Sequence, residues 1–384
     1  MSRKIRMGMI GGGQGAFIGA VHRMASALDG QIELVCGAFS SNPETSAATG
    51  AALFLPPNRV YDSYADMITQ EKRLPENERM DFVSIVTPNH LHFDPAKLAL
   101  ENGFHVVCDK PLCFDIKQAK TLQKLVQKTG LSFALTHNYT GYPMVKEAKD
   151  LIAKGALGAI RRIIVEYPQG WLSTRVEATN QKQAAWRTDP KRSGAVGAMG
   201  DIGTHAENLA EYISGLKISR LYANLNTIVE GRLLDDDGTV LMDYDNGAKG
   251  ILLASQICAG EENNLNIRIY GEKGGLEWHQ MEPNTLTIKW LDKPKETIRT
   301  GGNGVQSIAS PLHTRIPAGH PEGYLEAFAN IYRNFAHDLQ SQLVGTPRNL
   351  ALDYPGIDDG VRGMEFIERI VESNKKQKWV TLNQ

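Results

Sequence analysis

The 384-residue sequence predicts an α/β fold, with a parallel-sheet domain first and a mostly antiparallel sheet domain carrying helices on one side after it. Three observations predict it. From Lys4 to Tyr139 short β-branched runs alternate with helical segments; beyond Tyr139 strands follow one another across short turns; and a glycine-rich turn joins the first strand to the first helix. Strand–helix alternation is the pattern of a parallel sheet covered on both faces, while consecutive strands across tight turns pair antiparallel.

In the first part, strands are expected over 5–10, 32–38, 82–87, 106–108 and 132–136, each short and mostly apolar on both sides. Helices are expected over 19–28, 64–69, 95–101 and 116–129, the last with Ala119, Leu122, Leu125 and Val126 in helical spacing. Asp94 and Asp115 are placed to cap two of these helices, and Gly103 and Gly130 to stop them. The charged stretch 71–79, with Pro75 and Asn77, reads as a surface insertion. Past Tyr139 a helix over 144–154 ends at Gly155. Strands follow over 160–167, 221–229, 240–244, 250–256, 266–270, 275–278 and 286–290, with turns at Asp245-Asn246-Gly247 and Lys273-Gly274-Gly275. Helices return over 323–343 and 356–375.

Composition narrows the function. The length suits two domains. With 42 Lys+Arg against 43 Asp+Glu, the net charge of −1 lacks the basic bias of nucleic-acid binders. Cys36, Cys108, Cys113 and Cys258 form no C-x-x-C pair and read as reduced thiols, so a cytoplasmic setting is expected. The apolar run after the basic start is too short for a signal-peptide core, and no uncharged apolar run long enough for a membrane-spanning helix occurs.

The turn Gly11-Gly12-Gly13-Gln14-Gly15-Ala16-Phe17 follows the first strand and opens the first helix. Read as G-x-G-x-x-A, it puts Gly11 at the tight turn, Gly13 against a pyrophosphate and Ala16 at the close helix contact. Backbone N–H groups and the positive end of the helix then face phosphate, with Gln14, Gly15 and Phe17 beside it. A merely flexible turn is the plain alternative, and the order strand, loop, helix favours the dinucleotide. The acid that usually ends the second strand and binds the ribose is absent, since that place reads Ala38-Phe39-Ser40-Ser41-Asn42. Ser40 would tolerate a 2′-phosphate, yet no Lys or Arg lies between Arg23 and Arg59 to neutralise one. NAD is expected, with NADP left open.

Lys110, in Val106-Val107-Cys108-Asp109-Lys110-Pro111, lies at the C-terminal end of a buried strand, where open parallel sheets hold ligands. Pro111 biases it toward an extended backbone. Its plain alternative is a lysine reaching from a strand end to solvent. In Gly200-Asp201-Ile202-Gly203-Thr204-His205, a helix would place Asp201 and His205 on one face, as a proton-transfer pair, half a metal site or a capping arrangement. No second pair with metal-ligand spacing is evident, so no metal is expected.

At these residues the chain resembles the Gfo/Idh/MocA family, the glucose–fructose oxidoreductase and inositol dehydrogenase group, over essentially its whole length. The resemblance rests on the glycine loop, Thr87-Pro88-Asn89-His90-Leu91-His92, Asp109-Lys110-Pro111, Trp186-Arg187 and Gly200-Asp201-Ile202-Gly203-Thr204-His205. It implies a Rossmann dinucleotide-binding domain over 1–139, and over 140–384 an α+β domain with a large open, mostly antiparallel sheet for substrate binding and oligomerisation. It further implies hydride exchange between a nicotinamide and a sugar or polyol hydroxyl. Lys110 and His205 would be the central catalytic groups, with Asp201 orienting substrate. Thr87, Pro88, Asn89, His92, Asp109 and Lys110 would line the cofactor, as would Asn138, Trp186 and Arg187. A homo-oligomer, dimer or tetramer, is also implied. The glycine loop is about three residues longer than the common family form, and Asp109 replaces a more usual glutamate.

Oxidising a secondary alcohol needs a base for the hydroxyl proton and a group for the developing alkoxide, roles expected of His205 and Lys110. His137, Tyr139, Trp171, Lys191, His313, His320 and Glu322 are candidate sugar contacts, because aromatic faces and fixed polar groups suit a polyhydroxylated ring. Packing by Trp171 and capping by His313 and His320 are the competing readings. Two rivals remain: an NAD-dependent glycoside-cleaving enzyme working by transient C3 oxidation, and a sugar-responsive binding protein without chemistry.

Overall fold

Apolar strands buried on both faces need helices above and below them, and the first 138 residues provide both. The computed structural model describes residues 3–382 apart from Asn180. In chain order the first elements are β1 (Ile5–Gly11), α1 (Phe17–Leu28), β2 (Ile32–Ala38), α2 (Pro43–Ala52), α3 (Tyr64–Arg73), β3 (Phe82–Val86), α4 (Phe93–Glu101), β4 (His105–Cys108), α5 (Ile116–Thr129) and β5 (Phe133–Leu135). The strands form one parallel sheet in the order β2-β1-β3-β4-β5.

Some local expectations hold and others change. Asp115 caps α5 by accepting from the Gln118 N–H at 2.9 Å, and Gly130 closes that helix at φ 68°. Asp94 sits inside the first turn of α4, whose N-cap is His92. The stretch 71–79 is no simple surface insertion. Glu71 is fully buried in α3, and its carboxylate is saturated by Arg59 (2.9 Å to each oxygen), the Tyr61 hydroxyl (2.8 Å) and the Met80 N–H (2.9 Å). A buried carboxylate is tolerated when its lone pairs are occupied in this way.

The remaining elements are α6 (Pro143–Ala153), β6 (Ile160–Pro168), α7 (Lys182–Arg187), α8 (Pro190–Ser193), α9 (Thr204–Ser214), β7 (Ile218–Asn226), β8 (Asp237–Tyr244), β9 (Lys249–Ser255), β10 (Asn266–Gly271), β11 (Gly274–His279), β12 (Thr285–Trp290), β13 (Glu296–Arg299), α10 (Ala309–Leu312), α11 (Tyr324–Val344), α12 (Ile357–Lys376) and β14 (Val380–Thr381). Their strands make one sheet in the order β13-β12-β11-β10-β6-β9-β8-β7-β14, antiparallel except where β6 runs parallel to β9. Alternate residues such as Ile163, Val165 and Tyr167 of β6 are buried, as a sheet with one covered face requires. Helices α6 and α9 pack on it.

The chain divides into two compact units, with the first break one residue before the expected 139/140 boundary and a later segment returning to the first unit. The first unit runs through Asn138 and takes back Phe328–Val361; the second is Tyr139–Ala327 with the residues from Arg362 on. Aromatic packing explains the return: Phe335 meets Phe82 of β3 at 5.2 Å between ring centroids, and Phe328 meets His22 of α1 at 4.7 Å. Among the described residues no helix is long and apolar enough to cross a membrane.

Candidate active site

Parallel strands send all their C-terminal ends to one edge, and this gathers the first unit's candidates. Gly11 ends β1, Ser40 follows β2, Thr87, Pro88 and Asn89 follow β3, Asp109 and Lys110 follow β4, and His137 and Asn138 follow β5.

The glycine loop is shaped by contact as well as by turn geometry. Gly11 and Gly12 take left-handed φ values of 83° and 72°. A Cβ on Gly19 would come within 2.3 Å of the Gly12 Cα, so the close helix contact expected at Ala16 belongs to Gly19, in the first turn of α1. Ala16 is the extended N-cap residue. Gly13 donates its N–H to the Phe39 carbonyl at 3.1 Å, a Cβ there would strike that oxygen, and the Gln14 N–H reaches the Thr49 hydroxyl at 3.2 Å. Gly15 is open and Phe17 exposed. Helix α1 has no side-chain cap and no acidic residue in its first turn, so its positive end is bare. A glycine turn leading into a helix end with no side-chain cap fits a pyrophosphate. At the end of β2 the Ser40 hydroxyl accepts from the Asn42 N–H at 3.1 Å.

Around Lys110 the groups are ionic, with Asp109 half-buried among the buried His22, His92 and His137. The Lys110 N–H and the Thr136 hydroxyl both donate to Asp109 Oδ1, at 2.9 and 2.7 Å, and His22 Nε2 lies 3.8 Å from the same oxygen. Burial alone would push the Asp109 carboxyl up. His22, the Lys110 ammonium and the Thr136 hydroxyl outweigh it and hold the carboxyl well below the usual range. His137 goes the other way: burial, helped by the Lys110 charge, pushes its imidazole down to about 3. His92 is buried with Nε2 2.7 Å from the Thr87 carbonyl and Nδ1 2.9 Å from that of Pro111, and burial lowers its pKa against the pull of Asp109 and those carbonyls. The Lys110–Pro111 peptide bond is cis.

In the second unit Asp201 lies in a π-helical turn, Met199–Gly203, that feeds α9 and widens the expected single-face spacing to His205. Such turns recur at functional sites. Asp235 pins the start of this turn: its carboxylate accepts from the Gly197 N–H (2.7 Å) and the Met199 N–H (2.9 Å), while burial pushes it up to about 6. Asp201 Oδ2 accepts from Gln256 Nε2 at 2.9 Å and from Arg187 Nε at 3.2 Å. Gln256 also donates to Gln169 Oε1 at 3.2 Å, which takes the Trp171 indole N–H at 3.1 Å. Gln169 Nε2 donates to Asn263 Oδ1 at 2.7 Å, and Asn263 joins the paired Tyr139 and Tyr167 hydroxyls. Tyr139 meets His205 edge-on at 4.8 Å between centroids. Burial raises both tyrosines, so they remain neutral phenols.

Asp201, His205, Tyr139, Trp171 and Arg187 are thereby brought into one connected array, and Trp186 joins it under the Arg187 guanidinium, 4.3 Å from its ring. Four candidates of the second unit lie outside it. Lys191 is exposed in α8; His320 is exposed with Nδ1 3.1 Å from the Pro317 carbonyl; His313 is buried with Nδ1 2.7 Å from the Ala309 carbonyl, a capping role. Glu322 binds the Arg315 and Ile316 N–H groups, which makes it a loop anchor. Sequence reading missed Gln169, Gln256, Asn263 and Asp235, which carry no motif, and His22, whose place on the apolar face of α1 was a visible signal. Among the described residues no cluster of His, Cys, Asp or Glu is placed to hold a metal ion.

Residues 5–137 match the oxidoreductase family with an NAD-binding Rossmann fold, and residues 145–277 match the GFO/IDH/MocA C-terminal domain. The uncharacterized oxidoreductase YfiI of Bacillus subtilis is 33% identical, over 99% of this chain and 97% of its own. The chain belongs to the Gfo/Idh/MocA family of oxidoreductases. A solved inositol dehydrogenase homolog from Azotobacter vinelandii, complexed with NAD+, is 35% identical with a TM-score of 0.95 over 99% of this chain and 98% of that one. A structure from the same organism carries NADH and myo-inositol. Levoglucosan dehydrogenase from Pseudarthrobacter phenanthrenivorans is 26% identical over 100% of this chain and 99% of its own. The first unit of this Gfo/Idh/MocA member is thus an NAD-binding Rossmann domain.

Proposed function

We propose that this protein is a dehydrogenase or reductase of the class acting on CH–OH groups, exchanging hydride between NAD and a secondary hydroxyl of a sugar, sugar derivative or inositol. The observation that carries the reading is the array around Asp201, a carboxylate paired with Arg187 and set among amides, phenols and an indole. Groups of that kind recognise neutral hydroxyls without demanding charge on the ligand. A homolog solved with myo-inositol and a levoglucosan dehydrogenase among the relatives support it.

The bound nicotinamide supplies the hydride acceptor. The chain's own residues handle the proton and the oxygen. His205 Nε2 or Nδ1 takes the hydroxyl proton, its ring steadied by the edge of Tyr139. Lys110 donates to the oxygen as negative charge develops there, and the ionised Asp109 beside it keeps the local charge balanced. Asp201, gripped by Arg187 and Gln256, accepts from a neighbouring hydroxyl and fixes which carbon is presented.

A reduced-cofactor absorbance assay with NAD+ and NADP+ over myo-inositol, D-glucose and levoglucosan tests the reading, with Lys110→Ala beside the wild type. We expect turnover with NAD+ and a loss of about 10²–10⁴-fold in Lys110→Ala, the usual cost of removing a proton-handling group. Near-normal turnover in the variant, with NADH binding unchanged, overturns it.

A further inference from the structure

We propose that His22 and Tyr332 are positioning residues that act on Lys110 through Asp109, an inference that rests on the catalytic role given to Lys110 above. His22 lies on the inward face of α1 and is fully buried, and Tyr332, also fully buried, comes from the part of α11 that returns to the first unit. A buried imidazole on a helix face is ordinarily satisfied by its neighbours. Here one side is: Nδ1 is 2.6 Å from the Tyr332 hydroxyl, which is 2.7 Å from the Ser84 hydroxyl of β3. The other side is not. Among the described residues His22 Nε2 has no hydrogen-bond partner, and it lies 3.8 Å from Asp109 Oδ1.

Donor and acceptor chemistry sets the direction of this chain. An ionised carboxylate only accepts, so the N–H of the ring belongs on Nε2, facing Asp109. Nδ1 then accepts from the Tyr332 O–H, and Tyr332 accepts from Ser84. The two hydrogen bonds run in one sense, from Ser84 through Tyr332 to His22, and leave the Nε2 N–H facing Asp109 at the end of β4; they fix the tautomer of His22 as such second partners commonly do. Asp109 is the terminus. It is fixed from one side by Thr136 and faced from the other by His22, and its Oδ1 receives the Lys110 N–H at 2.9 Å. The carboxylate therefore sets the backbone from which the Lys110 side chain departs and supplies the counter-charge beside its ammonium. A shift of about 1 Å in a catalytic group can cost about 10²-fold, so a relay that holds Asp109 bears on turnover although His22 and Tyr332 are themselves fully buried.

The test uses the full-length protein and three variants: His22→Ala removes both ring contacts, His22→Gln keeps an N–H reaching toward Asp109, and Tyr332→Phe removes only the linking hydroxyl. Hydrogen exchange read on the peptide spanning 106–112 needs no substrate. We expect at least fivefold faster exchange there in His22→Ala, recovery in His22→Gln, and no change in the β3 peptide. Unchanged exchange at 106–112, or equal acceleration throughout the first unit, overturns the proposal. In turnover, with whichever of myo-inositol, D-glucose and levoglucosan gives most NADH, we expect kcat to fall about tenfold in His22→Ala and about threefold in Tyr332→Phe, with NADH affinity within twofold. Placed in a Lys110→Ala background, His22→Ala should cost nothing further, because residues acting as one unit are not additive. Full additivity, or kcat within twofold of wild type in all three variants, overturns the proposal. Failure of the reading for Lys110 itself looks different, with Lys110→Ala active on its own.

Discussion

Around Lys110 the first unit sets several ionic groups against one another, whereas around Asp201 the second unit sets a single Arg187–Asp201 ion pair among amides, phenols and an indole. The former suits the control of charge, since Asp109 is held ionised and His137 neutral just past the ends of the paired strands β4 and β5. The latter suits the reading of hydroxyl groups, whose donors and acceptors are matched by side chains that are both at once. On the roles proposed above, the difference separates proton chemistry from recognition within one chain.

His205 sits in the second unit yet is assigned chemistry, so it strains the contrast most. His205→Ala should lower kcat/KM by about 10²–10⁴-fold with NADH affinity unchanged in a fluorescence titration; a mere rise in KM would return His205 to recognition. Gln256→Leu should act on the other side, raising KM about tenfold or more with kcat less affected, because a hydrogen bond to a charged group is worth roughly 1.5–3 kcal/mol. A fall in kcat alone would sink that division of labour. The smallest effect is in acid stability. His105 and His137 are pushed down to about 4 and about 3 from 6.5, so their contribution is complete above about 6.5 and is lost as pH falls through those lower values. Asp235 is pushed up from 3.8 to about 6, so its contribution is complete below about 3.8 and is lost as pH rises through about 6. Between about pH 7 and 4.5, protection factors for β4 and β5 should therefore fall while those for the Met199–Gly203 turn rise. Equal slopes in the two regions would erase the distinction.

Much of this was legible because local rules and the fold agree. Strand, glycine loop and helix occur in the order that the dinucleotide motif demands, and the five strands of the first sheet fall within a residue or two of their expected bounds. What escaped was non-local. Helix α2 is rich in small residues with little apolar periodicity, so no stripe announced it. Glu71 looked like a surface charge because its partner Arg59 is twelve positions away. Gly19 took the contact expected at Ala16 because the loop is long, and a fixed spacing rule fails when a loop grows. Gln169, Gln256 and Asn263 are ordinary amides in sequence, and only the pairing of β6 with β9 and the turn beyond them bring them beside Asp201.

The return of Phe328–Val361 to the first unit has a consequence during synthesis. Phe82 of β3 and His22 of α1 emerge early, but their partners Phe328, Tyr332 and Phe335 are separated from Asn138 by the whole of Tyr139–Ala327. At about 5–20 residues per second those intervening residues take roughly 10–40 s to make. Through that interval the nucleotide-binding half waits with an apolar patch uncovered, and the unit begun first is completed among the last.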